Sequence, residues 1–492
     1  MSTEKTTDLT KGRPISQIFL FAVPLVLGTL FQQLYSFADT VIVGRFLGVD
    51  ALAAVGTTYS LNFLILGFVQ GLTVGFGILL AQSFGAKDRN ELNSYFLNGA
   101  FLSACISVLL AVVTAIAARP LLILIRTPEN ILSMAVEYIR VIFIGIPAAM
   151  LYNYSAGALR AVGDSRHPFY FLLFSSALNI GLDYVFIVPF GAGVAGAAWA
   201  TVISQLVSGV LNAWWLLAKT GVICLYGRGA SGEGAGTADG GFIPAPALSA
   251  EKMKKLCIIG LPMGFEYSVS AIGAVVMQGA INSLGSVAVA AQTAGEKIRQ
   301  MFTLPMESVG MAMATYVGQN YGAGRIDRIR QGIKSGLCIQ YIYCAVIWCV
   351  IFALKTPLVG LVLGETTSQI AGEAVQYLSI MSALFFIHGS LMIMRNTLQG
   401  LGYSLQAIVS GVGELFGRSL GGFLSVGGLG FAGLGFTGIC ISNPLAWALA
   451  LGYCVVMVYH YLPGGKSEAL SLSPPAPSRS AGPCDQPETA EY

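Results

Sequence analysis

The chain has 492 residues, 55% of them hydrophobic and only 10% charged, and its mean hydropathy is +0.72. A water-soluble fold of that length cannot hide so much apolar surface, and the apolar runs lack the alternation of a membrane β-barrel, which leaves an all-α polytopic membrane protein and excludes disordered, collagenous and disulfide-rich secreted chains. With 27 Lys and Arg against 24 Asp and Glu, the net +3 provides no broad basic surface for nucleic acid.

The first 14 residues, MSTEKTTDLTKGRP, are polar and precede no cleavable apolar core, so they read as a cytoplasmic tail. A helix crosses about 30 Å of hydrocarbon with roughly 20 apolar residues. On that rule six spans are predicted over 15–44, 52–83, 92–118, 131–157, 167–189 and 194–218, forming an N-lobe over 15–218. A Gly-, Ala- and Pro-rich stretch marks a cytoplasmic linker over 219–255. Six more spans follow over 256–283, 288–320, 333–354, 373–399, 404–426 and 436–461, a C-lobe over 256–462, and residues 463–492 form a Pro- and Ser-rich disordered tail. With the amino terminus inside, 19 Lys and Arg fall in inner segments and 6 in outer ones, Arg299 among the latter, which puts both termini in the cytoplasm. Cys105, Cys257, Cys338, Cys344, Cys349, Cys440 and Cys454 sit in apolar runs without CxxC spacing and read as small buried side chains.

The two halves align at a shift of about 238 residues. Pro24 meets Pro262, "AQSFGAKD" from Ala81 meets "GQNYGAGR" from Gly318, Pro120 meets Pro357, and Tyr138 meets Tyr377. Further on, "LRAVGDS" from Leu159 matches "LQGLGYS" from Leu398, and "GAGVAG" from Gly191 matches "GLGFTG" from Gly433. Six spans per half is even, so the copies are parallel repeats: two pseudo-symmetric six-helix bundles with a substrate path between them. The last pair includes a GxGxxG, but no strand precedes it and no acid follows about 20 residues on, so it reads as tight turns rather than a dinucleotide site. No cofactor is expected.

An ionised side chain within the bilayer costs at least about 2.5–3.5 kcal/mol, so each one calls for a reason. Glu414 and Arg418, four apart, suit a local ion pair, and Arg395 near the inner end of span 10 can snorkel. Asp39 and Asp183 differ, because a rise of about 1.5 Å per residue puts them roughly 8 and 9 Å below the outer ends of spans 1 and 5, with Thr201 roughly 10 Å down span 6. Asn179 shares the face of Asp183, while Tyr35 and Gln32 share that of Asp39. In the second half Asp39 meets Met277, and the region opposite Asp183 is Gly422 to Ser425. The acids do not recur, as they should if they served only to hold a six-helix unit together. Burial and a neighbouring like charge both favour the protonated form of a carboxylic acid, so such a pair can gain and lose a proton, and the same oxygens suit Na+. Pro24 and Pro262 each leave a carbonyl unpaired in mid-span, offering a hinge or a static kink.

The run "FQQLYSFADTVIVGRFLG" from Phe31, the two loops "AQSFGAKD" and "GQNYGAGR", "ALRAVGDSRHP" from Ala158, and the twelve-span duplication together resemble the multidrug and toxic compound extrusion (MATE) family over residues 14 to 462. The resemblance implies an antiporter of the cell inner membrane that exports amphipathic, often cationic, organic compounds by alternating access, coupled to H+ or Na+. It further implies a cation site at Asp39, Asn179, Asp183 and Thr201, with Tyr35 and Pro24 linked to it. A second branch of the family uses a Glu about eight residues after the span 7 proline. That position is Ser270 here, with Glu266 one turn early. Phe31, Gln32, Phe265, Glu266 and Tyr267 are candidates to line the cleft, the aromatic ones through cation–π contact. The expected partners are small-molecule drugs and the lipid bilayer, and the expected state is a monomer. A flippase for lipid-linked saccharides is the alternative, though its phosphates would call for several mid-membrane Lys or Arg. An intramembrane enzyme is disfavoured, since His167, His388 and His460 are scattered and neither HExxH nor GxSxG occurs.

Overall fold

The computed structural model describes residues 7–223, 247–364, 368–428 and 431–462, apart from a few side chains of the seventh span that include Tyr267 and Ser270. Most of the expected linker and the whole expected tail lie outside the described residues.

The first bundle comprises α1 (Pro14–Leu47), α2 (Val49–Thr57), α3 (Tyr59–Gly85), α4 (Arg89–Leu124), α5 (Glu129–Ile144), α6 (Ile146–Ala161), α7 (Arg166–Ile187) and α8 (Gly193–Ala218). The second comprises α9 (Ala250–Ser283), α10 (Ser286–Gly322), α11 (Ile326–Leu363), α12 (Gln369–Ala383), α13 (Phe385–Leu401), α14 (Ser404–Val426) and α15 (Phe436–Tyr461). Between α14 and α15, Gly427–Gly428 (β1) and Phe431–Ala432 (β2) form a small antiparallel hairpin. Among the described residues, seven helices are long and apolar enough to cross a bilayer, and two bent pairs qualify jointly. Those pairs are α5 with α6, at 45°, and α12 with α13, at 49°. They are the fourth spans of the two copies, so the repeat extends to its bends. In the first copy the break falls at Gly145, just before Pro147, which has no N–H to continue the ladder. The second span likewise divides into α2 and α3 at Thr58, whereas α1 runs unbroken through Pro24.

The ends of α3, α6, α10 and α13 meet at one face of the molecule, where α1 begins. There Gly85 of α3 approaches Gln319 of α10, and Gly322 approaches Gln82. Deeper in, Gly75 of α3 lies against Gly260 of α9. A Cβ on Gly322 would stand 1.8 Å from the Gln82 carbonyl oxygen, so only glycine permits this approach. Gly322→Ala is therefore expected to destabilise the protein by about 1–3 kcal/mol. Gly452→Ala, on an open part of α15, is expected to stay within about 1 kcal/mol of the parent. Thermal unfolding of the two variants in detergent checks the contrast.

α1 divides its packing between the bundles. Ile18, Phe21, Ala22 and Leu25 join the apolar core built otherwise from α10 to α15, together with Leu9 ahead of the helix. Past Pro24 and a 3.1 Å contact of Thr29 with Ser308 of α10, the helix turns to α7, where Gly28 meets Leu172 and Phe31 packs at 6.0 Å from Phe169. The segment before α1 is shaped by Asp8, whose carboxylate accepts from the Thr10 N–H at 3.0 Å and pairs with Lys11 at 3.3 Å. Burial alone would raise the Asp8 pKa, but the Thr10 hydrogen bonds and the Lys11 charge hold it below its ordinary 3.8. A depressed carboxylate stabilises above its unfolded pKa, so this turn is intact at neutral pH and loosens only as pH falls through that acidic range.

Candidate functional site

The first bundle holds a polar chamber in the half away from the amino-terminal face. α1 presents Gln32, Tyr35 and Asp39 at steps of three and four residues, so they stack along one side of the helix. α7 presents Ser175, Ser176, Asn179 and Asp183 in the same way, and α8 presents Thr201, Ser204, Gln205 and Ser208. Gln32, Tyr35, Ser175, Ser176, Asn179, Thr201, Ser204, Gln205 and Ser208 line an open pocket together with Tyr152 of α6. Asp39 and Asp183 are not among its lining residues, yet both lie within electrostatic reach of Tyr35, so the geometry brings Asp39, Asn179, Asp183, Thr201, Tyr35 and Gln32 into one region. The Asp39 and Asp183 carboxyls lie within hydrogen-bonding reach of each other.

Asp183 is completely buried, and neither of its oxygens has a donor. The same is true of one oxygen of Asp39, both polar atoms of the Asn179 amide, and the hydroxyls of Ser204 and Ser208. Among the described residues no Lys, Arg or His forms an ion pair with either acid. Two ionised carboxylates are both acceptors, so their contact becomes a hydrogen bond only when one carries a proton, and otherwise a cation must lie between them. Buried polar groups are normally satisfied by protein or ordered water, and the chamber gathers several that no described protein group satisfies. Carboxylate, amide and hydroxyl oxygens suit a proton or a hard monovalent cation. The described residues contain no group of three or more His, Cys, Asp or Glu fit to hold a metal ion.

The second bundle solves its charge problem in the opposite way. In place of Asp39 it has Met277, packed with Ile281 and Ile439 in an apolar cluster. Three of its own intramembrane acids, Glu266, Glu296 and Glu414, are paired, whereas Glu307 of α10 forms no ion pair among the described residues. Arg395 of α13 is a hub that binds Glu266 of α9 at 3.2 Å, donates to Ser410 at 3.0 Å and forms a short ion pair with Glu414 of α14. Gln399 donates to the second oxygen of Glu266 at 2.9 Å. Arg418 binds Glu414 at 3.0 Å and Asn443 at 3.2 Å. Glu296 is held by Arg299 at 2.8 Å and by the Tyr377 hydroxyl at 2.6 Å.

Several sequence expectations change here. Arg395 does not snorkel, because its guanidinium is tied to two acids and is only 7% exposed. Arg299 is more than three turns inside α10 rather than in an outer loop. Glu266 is taken up in the Arg395 network and turns no oxygen toward a cleft. Phe31 and Phe265 are 36% and 51% exposed, while the side chain of Tyr267 lies outside the described residues. The serines of the chamber, Tyr152, and Tyr138, which lies within electrostatic reach of both acids, were missed. The signal for the serines was available, since 175, 176, 179 and 183 share one helix face and 201, 204, 205 and 208 another.

Comparison with known proteins bears on what this arrangement serves. The MatE family model matches residues 24–185 and 262–416, one segment in each bundle. The chain is 27% identical over 446 residues to the probable multidrug resistance protein YoeA of Bacillus subtilis, covering 90% of this chain and 92% of that one. It is 28% identical to the probable multidrug resistance protein YpnP of the same organism, with 82% and 86% covered. Its fold superposes with a TM-score of 0.83 on a structure described as the outward-facing conformation of a multidrug resistance MATE family transporter of the MOP superfamily, at 22% identity, covering 94% of this chain and 99% of that one.

Proposed function

The chain belongs to the MATE family of transporters, and from that premise we propose that it exports amphipathic, often cationic, organic compounds by alternating access, driven by inward flow of H+ or Na+ bound at Asp39 and Asp183. The observation that carries this reading is the contrast between the bundles. Glu266, Glu296 and Glu414 each have an arginine, while among the described residues no Lys, Arg or His pairs with Asp39 or Asp183. A mobile positive charge completes the site, with Asn179 and Thr201 supplying neutral oxygens and Tyr35 flanking it.

Loading that site biases the two-state equilibrium only if the ion binds one state better. α1 provides the link, since it carries Asp39 at one end and is docked on the second bundle at the other, with Pro24 as its hinge; Pro262 has the matching place in α9. Exposed aromatic side chains such as Phe31 and Phe265 would hold organic cations in the cleft between the lobes. The lobes are residues 15–218 and 256–462, the amino-terminal face is cytoplasmic by the distribution of Lys and Arg, and the working unit is a monomer in the cell membrane. Flipping of lipid-linked saccharides fits less well, because Arg299, Arg395 and Arg418 are each engaged by a glutamate rather than free to meet a phosphate.

The test is dye efflux from liposomes containing the purified protein, energised separately by a pH gradient and by a Na+ gradient. Efflux that follows one gradient identifies the driver. Dye movement indifferent to both would remove the coupling role of the acids.

A further inference from the structure

The segment ahead of α1 runs across the amino-terminal face and touches both bundles. Residues 7–13 lie across the junction of the bundles. On one side the Thr7 N–H donates to the Gly163 carbonyl in the α6–α7 turn, at 3.2 Å. On the other side Arg328 of α11 donates to the carbonyls of Leu9, Lys11 and Gly12 at 3.3, 3.1 and 3.0 Å, and Arg325 donates to that of Thr10 at 3.0 Å. Leu9 is fully buried in the core of the second bundle. Gln319 joins the parts, since its oxygen accepts from the Leu9 N–H at 3.0 Å and its nitrogen donates to Ala161 of the first bundle at 2.8 Å.

We propose that residues 7–13 are a latch that holds the two bundles together at the amino-terminal face. The strap is covalently part of α1 yet has its one apolar anchor in the second bundle. To part the bundles on this face, the chain must break the bonds of Gly163 and Ala161 to Thr7 and Gln319 or pull Leu9 out of its core. Either adds to the barrier against opening here and so favours the state closed on this side. The latch rests on the alternating-access reading only for its meaning in transport. Its grip on the two bundles can be measured without any transport.

Hydrogen–deuterium exchange of the full-length protein in lipid nanodiscs reads that grip directly. Two variants bear on it: Arg328→Ala, which removes three strap bonds and leaves α11 intact, and deletion of residues 2–10, which removes Leu9. In both, exchange at 81–86 and 316–322 is expected to accelerate about tenfold, the equivalent of one or two net hydrogen bonds, with 186–196 at the opposite face unchanged. Unchanged exchange at 81–86 and 316–322 in both variants, or an equal rise at both faces, would overturn the latch. A variant that passes this test but belongs to a protein inactive under every ion gradient would leave the latch standing and sink the antiport reading instead.

Discussion

Replacement of Asp183 by asparagine is expected to bring gradient-driven dye efflux down to the level of protein-free liposomes, a loss of at least about tenfold in coupling. Asp39→Asn should do the same, and the double variant should lose little more, because the two carboxyls lie within hydrogen-bonding reach and act as one site. Stability should move in the other direction. Asp183 is buried with neither oxygen satisfied, so the neutral isostere removes a desolvation penalty and should leave the melting temperature unchanged or raise it, by up to about 1–3 kcal/mol of stability. A purely structural acid would show the reverse, with a lower melting temperature and efflux impaired only in proportion to folded protein. Thermal unfolding and efflux measured on the same preparations separate the two.

Arg395→Met is expected to give the largest loss of stability, about 3–5 kcal/mol, because it leaves buried Glu266 with no cation and Glu414 with Arg418 alone. The companion variant Arg395→Met with Glu266→Gln and Glu414→Gln removes the stranded charges along with the hub and should recover most of the melting temperature. If the single substitution unfolds at the parental temperature, the network described here does not hold α9, α13 and α14 together. The two experiments probe opposite solutions to one problem. In the second bundle Glu266, Glu296 and Glu414 are held by arginines, whereas among the described residues Asp39 and Asp183 of the first pair with no Lys, Arg or His.

The sequence made the architecture legible because a bilayer imposes a length. Uncharged runs of about 20 residues or more cannot be anything but spans. The duplication followed from matched prolines and loops. The acid layer followed from counting residues down three helices and from finding no acids at the matching positions of the second copy. What the count could not give is direction around each helix. In a soluble helix the polar stripe reveals which side faces the core, but most sides of a membrane span are apolar, and a residue count does not say toward which neighbour a lone buried charge turns. For that reason Glu266 looked available to a cleft and Arg395 looked free to snorkel, until their side chains were seen to meet.

The number of spans, the parallel repeat and the one-sided placement of Asp39 and Asp183 were thus set by the sequence alone, since each depends only on apolar length and position along the chain. Tertiary structure decided which charges are partnered, that α1 docks half on each bundle, and that residues 7–13 bridge the amino-terminal face. These depend on contacts such as Leu9 with Gln319, more than 300 positions apart, which local propensity does not encode. Long-range packing fixes them because each buried polar group must find its partner wherever the folded chain brings one within reach.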